Sequence, residues 1–172
     1  MPEKIQNNEV QISGGISGAI SDPSSTRALL HAEKYYEEIR KNHSDVKRIA
    51  KNTGYRVEQI LMIKHYLFLD EHELDGGYRR FDVSFEIAES WQRLAFDPEH
   101  IKPHDLTLIR HEMMEMRLVN DGVPQDDAHT LTSRQYDYSR ESAEYYKAIQ
   151  KKIEHRDGQV SGALTMLGGN TH

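Results

Sequence analysis

Between Thr26 and His155 apolar residues recur with a period near 3.6, and this repeat constrains the fold more than any other feature of the chain. It gives each of a series of segments one dry and one wet face, which is the pattern of amphipathic helices packed on one another. Residues 26–41 place Ala28, Ala32, Tyr35, Tyr36 and Ile39 on one face, with Ser24 or Ser25 ahead of them as N-cap. Residues 45–52 turn Val46, Ile49 and Ala50 inward and end at Gly54. Residues 57–69 carry Val57, Ile60, Leu61, Lys64, Leu67 and Phe68 at helical spacing. The next helix, 84–96, holds Ile87, Ala88, Trp91 and Leu94 and is stopped by Asp97-Pro98. Pro103 opens the longest helix, 103–120, which Gly122 closes, and Pro124 opens another over 124–134. A last helix over 140–155 turns Ala143, Tyr146, Ile149 and Ile153 inward. Asp75-Gly76-Gly77 reads as a turn, and 78–83 is too short and too charged to read as a strand.

The fold expected is therefore all-α, a compact multi-helix bundle with flexible N- and C-terminal segments. Residues 1–25, punctuated by Ser13-Gly14-Gly15, Ser17-Gly18 and Asp22-Pro23, read as a linker or pre-domain arm. Residues 26–155 read as the helical domain and 156–172, with Ser161-Gly162 and Gly168-Gly169, as a flexible tail. No internal repeat is present.

Composition narrows the function classes. The 172 residues suffice for one core, and 37% hydrophobic residues suffice to fill it. The absence of cysteine removes disulfides, thiolate nucleophiles and Cys-based zinc sites. No apolar run exceeds the four residues of 60–63 and 66–69, far below the roughly 20 needed to span a membrane. The start of the chain has no apolar core of a Sec signal peptide. A net charge of −6 argues against nucleic-acid binding over the whole surface, though not against a local basic patch. Ten histidines and nine tyrosines direct attention to acid-base, phosphate and metal chemistry.

Three constellations stand out. On helix 103–120, His104, His111 and Glu115 fall within roughly 40° of one another at 100° per residue, on a helix apolar on two sides. His111-Glu112-x-x-Glu115 departs from the helical zinc motif H-E-x-x-H by placing Glu at the fifth position. Carboxylates bind zinc, so His104, His111, Glu115 and the later His129 are the candidate ligands of a divalent metal, with Glu112 activating water. The same groups also read as an internal hydrogen-bond network. The second constellation is His31 with Tyr35 one turn later and Arg40 beyond, the base, acid and phosphate clamp of a metal-free ribonuclease, or else ordinary core aromatics. The third is a short helix, a Gly54 turn and a second helix, resembling a helix-turn-helix. Residues 43–68 hold five basic residues, Lys47, Arg48, Lys51, Arg56 and Lys64, against two acidic ones, which suits a phosphate-facing surface.

The ordered series His31-Ala-Glu-x-Tyr35-Tyr36, Ile49-Ala-Lys-Asn-Thr-Gly54, Arg80-Phe-Asp82, Glu89-Ser-Trp-Gln-Arg-Leu94, His104 to Glu112 and Ala128-His129 with Tyr136-Asp-Tyr138 resembles a C-terminal module of prophage minor-head (head-morphogenesis-like) proteins and bacterial polymorphic toxins. The resemblance covers about residues 26–150. It implies an effector domain at the end of a larger carrier protein, acting in a bacterial cytoplasm, with an immunity protein as partner. Modules in this position are most often nucleases.

The function expected is a toxin-like nuclease hydrolysing RNA or DNA. In its metal form His111, Glu115 and His104 or His129 hold the ion. In its metal-free form His111 and His31 act as base and acid beside Tyr35, with Arg40, Lys51 or Arg110 on the phosphate. Lys47, Arg48, Lys51 and Arg110 are the candidate substrate-binding residues. The alternatives are a non-catalytic helix-turn-helix-like nucleic-acid-binding or phage structural module, and a zinc peptidase-like hydrolase.

Overall fold

A computed structural model describes residues 20–167. The fold is all-α apart from one small hairpin: α1 (Thr26–Lys41), α2 (Asp45–Thr53), α3 (Val57–Lys64), a π-helical turn (His65–Leu69), β1 (His72–Leu74), β2 (Gly77–Arg79), α4 (Phe85–Phe96), a 3-10 turn (Pro98–His100), α5 (Pro103–Asn120), α6 (Gln125–Gln135) and α7 (Tyr138–Leu167). Local chemistry sets the boundaries. The Ser25 hydroxyl accepts from the Ala28 N–H at 3.1 Å and caps α1, and Ser84 caps α4 through the Ile87 N–H. Gly54 ends α2 at φ +79°, the left-handed conformation that glycine adopts at least cost.

Helix α5 lies at the centre and packs against α3, α4, α6 and α7, while α4 packs also on α1 and α2. The main core forms around Trp91, with Phe68 5.1 Å away edge-on and Tyr36 in turn 4.9 Å from Phe68. One buried charge pair is built into it. Lys64 Nζ donates to Asp45 Oδ1 at 2.8 Å and to the Asn42 carbonyl at 2.7 Å, and the Trp91 indole N–H donates to Asp45 Oδ2 at 3.0 Å. Helices α2, α3 and α4 are thus tied through one carboxylate, and Lys64 also reaches the end of α1, which explains why a lysine occupies an inward helical position.

Several expectations need correction. Val57 and Leu61 face solvent at 40% and 45% exposure, because α3 reaches the core with Ile60, Ile63 and Lys64 instead. The helix begun at Val57 does not stay α-helical to Leu69 but widens into the π turn, whose Asp70 N–H bonds back to the His65 carbonyl at 2.7 Å. Residues around Asp75-Gly76 form an antiparallel hairpin with His72 opposite Arg79 and Leu74 opposite Gly77. Ala143 is exposed. Helix α7 runs past His155 to Leu167 through Gly158 and Gly162, neither of which takes a positive φ. A helical glycine costs only about 1 kcal/mol relative to alanine, and no proline follows to stop the helix. The expected flexible tail therefore begins as helix, and residues 1–19 and 168–172 lie outside the described residues. No described helix is long and apolar enough to cross a membrane.

Candidate metal centre

The middle of α5 places His111 and Glu115 one turn apart, and the next helix brings His129 to them. His111 Nε2 stands 2.9 Å from Glu115 Oε2, and His129 Nδ1 stands 3.4 Å from the same oxygen. One ligand atom from each of the three residues lies within 4.8 Å of the other two. Tetrahedral zinc with bonds of about 2.0–2.1 Å separates neighbouring ligand atoms by about 3.3 Å, so the set is near coordination spacing. His111 and Glu115 are buried, whereas the His129 side chain is 56% exposed and keeps one side of the cluster open to solvent.

The surroundings orient these groups. His111 Nδ1 lies 2.8 Å from the Tyr136 carbonyl, which can only accept, so Nδ1 carries a proton and Nε2 points at Glu115. The other carboxylate oxygen, Glu115 Oε1, accepts from the Gln125 amide and, at 3.2 Å, from the Tyr66 hydroxyl; Gln125 also donates to the Tyr66 oxygen at 2.6 Å. Burial works against the Glu115 charge, but hydrogen bonds from His111 and His129 outweigh it and hold the carboxyl down at about 2. Hydrogen bonding to Glu115 raises His129 in return. Glu112, on the neighbouring face of α5, is 5% exposed; burial first, and the Glu115 charge second, push its carboxyl well above the ordinary range. A cation held at the cluster would act on Glu112 in the opposite sense. The arrangement is a group of two histidines and a glutamate that could hold a metal ion, with buried Glu112 on the adjoining face of the same helix.

His104 does not join this set. It shares the angular stripe of His111, but seven residues of helix separate them by roughly 10 Å along the axis. Its Nε2 accepts from Arg93 Nη2 at 3.1 Å, and burial lowers it to about 4, so the ring is neutral. Arg93 in turn makes a buried two-pronged pair with Asp105, both bonds 2.8 Å. His31 and Tyr35 lie in a further group: their rings meet edge-on at 4.0 Å and His31 Nε2 stands 3.3 Å from Glu89 on α4. Arg40 is spent structurally, its Nε donating to the Phe68 carbonyl at 2.7 Å and Nη1 to Glu37. The base, acid and clamp of a metal-free site are thus not assembled with His111. Lys47, Arg48, Lys51 and Arg110 are exposed. The outward face of α3, which would read a nucleic-acid groove, carries Val57, Glu58, Leu61 and Met62, none of them basic.

Sequence reasoning missed Tyr66, Gln125 and the Tyr136 carbonyl. Tyr66 reads as one more core aromatic, Gln125 as a first-turn helix residue, and a backbone carbonyl has no sequence signature. Compared with known proteins, the chain matches no family model, no curated protein and no solved structure.

Proposed function

We propose that this chain is a metal-dependent hydrolase in which His111, Glu115 and His129 hold a zinc-like ion and Glu112 takes the proton of the attacking water. The observation that carries the reading is the convergence of His111 Nε2, Glu115 Oε2 and His129 Nδ1 within 4.8 Å, with the His111 tautomer fixed from behind by the Tyr136 carbonyl. Two histidines and one carboxylate with an open side form a ligand set of known hydrolytic zinc sites, and an ion held there would supply Lewis acidity to water and to the bond being cut. Gln125 and Tyr66 keep Glu115 oriented toward the ligand position. The resemblance to prophage minor-head and polymorphic-toxin modules supports a toxin-like effector role in a bacterial cytoplasm, with a carrier and an immunity protein as partners. Nucleic-acid and peptide hydrolysis share this centre and differ in what must approach it.

The test is zinc titration of the full chain. One equivalent is expected to bind, and zinc at about 100 times its Kd should stabilise by about 2.7 kcal/mol, raising Tm by roughly 5–10 °C. His129→Ala should abolish that rise, while Glu112→Gln should keep it and lose hydrolysis. Zinc binding that survives His129→Ala unchanged, or no binding at all, would overturn the assignment.

A further inference from the structure

A groove of about 660 Å³ meets the surroundings of the cluster at Gln125, which lines the groove and whose amide bonds the Glu115 carboxylate. Its apolar lining is Leu74, Val119, Val123 and Pro124. Its charged groups are all of one sign. Glu71, Glu73 and Asp75 line it from the hairpin and Asp126 from the first turn of α6, and no lysine or arginine lines it. Among the described residues none of these four carboxylates is in an ion pair. Exposure alternates along the strand: Glu71, Glu73 and Asp75 are exposed, His72 and Leu74 half-buried. Glu71 and Glu73 therefore stand on one face at about 6.7 Å, the repeat of alternate side chains on any extended chain, and Asp75 follows in the hairpin turn.

We propose that this groove seats an extended peptide segment carrying Lys or Arg at alternate positions, and that such a segment is the substrate class of the neighbouring centre. The proposal rests on the hydrolase reading for the reaction but not for the binding. A polyanion approaching along this path would meet four unneutralised carboxylates, whereas a cationic side chain gains their attraction and lays its aliphatic stem against the apolar lining. In the hydrolysis, water oxygen bonds to the peptide carbon and the C–N bond breaks. The proton that Glu112 takes from water passes to the leaving amine, and nothing is oxidised or reduced.

The test is fluorescence polarisation with three labelled probes on the full chain: an octapeptide alternating Lys and Leu, its Glu and Leu counterpart, and a single-stranded octanucleotide. The Lys peptide is expected to bind at least tenfold more tightly than either other probe at 50 mM salt, with the preference shrinking at 500 mM. Glu71→Lys with Glu73→Lys should cut that affinity about tenfold while zinc binding stays unchanged. Equal binding of the two peptides, preference for the oligonucleotide, or no binding of any probe would overturn the proposal. Zinc uptake without peptide preference leaves the hydrolase reading standing and sinks this one. Peptide preference without zinc uptake does the reverse.

Discussion

The Arg93–Asp105 pair offers the sharpest test of how the polar interior is built. Arg93 is 1% exposed and Asp105 fully buried, joined by two bonds of 2.8 Å, and Asp105 Oδ2 also accepts the Lys102 backbone N–H at 2.8 Å ahead of α5. Asp105→Asn keeps the shape and removes the charge, which leaves a buried guanidinium without its hydrogen-bonded carboxylate, beside the neutral His104 ring and the Tyr145 ring 5.6 Å away. Breaking a buried pair from one side costs about 3–5 kcal/mol, a large share of the roughly 5–15 kcal/mol that holds a domain together. For a chain of this size that is a fall in Tm of roughly 6–20 °C. Thermal unfolding followed by circular dichroism at 222 nm measures it. The double variant Arg93→Met with Asp105→Leu strands no charge and loses chiefly the Lys102 contact, about 1 kcal/mol. It should therefore be more stable than Asp105→Asn. A single variant within 2 °C of wild type, or a double variant less stable than the single, would refute the reasoning.

Two further outcomes follow from other parts of the fold. Burial, opposed by Arg93, raises Glu89 from 4.5 to about 7, so the folded state holds this proton more tightly than the unfolded chain. That stability is complete below pH 4.5 and is lost as pH rises through 7, a swing of about 3 kcal/mol. Glu89→Gln, a mimic of the protonated form, should gain Tm over wild type between pH 5 and pH 8 in a scanning-fluorimetry series, and a difference independent of pH would contradict the assignment. Gly54→Ala forces a Cβ into φ +79° with no steric neighbour within 4 Å, so the cost is purely the backbone's, about 1–2 kcal/mol. Urea unfolding should show a lower midpoint with an unchanged slope; a midpoint equal to wild type would mean that the α2–α3 turn relaxes freely.

The elements that local chemistry fixes were legible in the sequence. Thr26–Lys41 and Pro103–Asn120 have the bounds that Ser25, Pro103 and Gly122 announce, because a cap acts within one turn. His111 and Glu115 were legible as a pair for the same reason: residues four apart on a helix must be neighbours. His104 shows the limit of that rule, since angle around a helix is local information but the partner at a given height along it is not. Whether His104 met a metal or a guanidinium was decided by Arg93 on another helix, and whether Arg40 met a phosphate or a carbonyl was decided by the π turn 28 residues away. Val57 and Leu61 fit one helical face as well as Ile60 and Ile63 fit another, and only the docking of α3 on α2 and α5 chose between them. The sequence by itself determined the helix bounds that a cap or proline marks and which side chains share a turn, because 100° and 1.5 Å per residue are set by the backbone. Tertiary packing alone decided that His129 joins His111 and Glu115, that Tyr66, Gln125 and the Tyr136 carbonyl bond to them, and the sign of the groove, because each joins residues whose separation along the chain places no constraint on their distance in space.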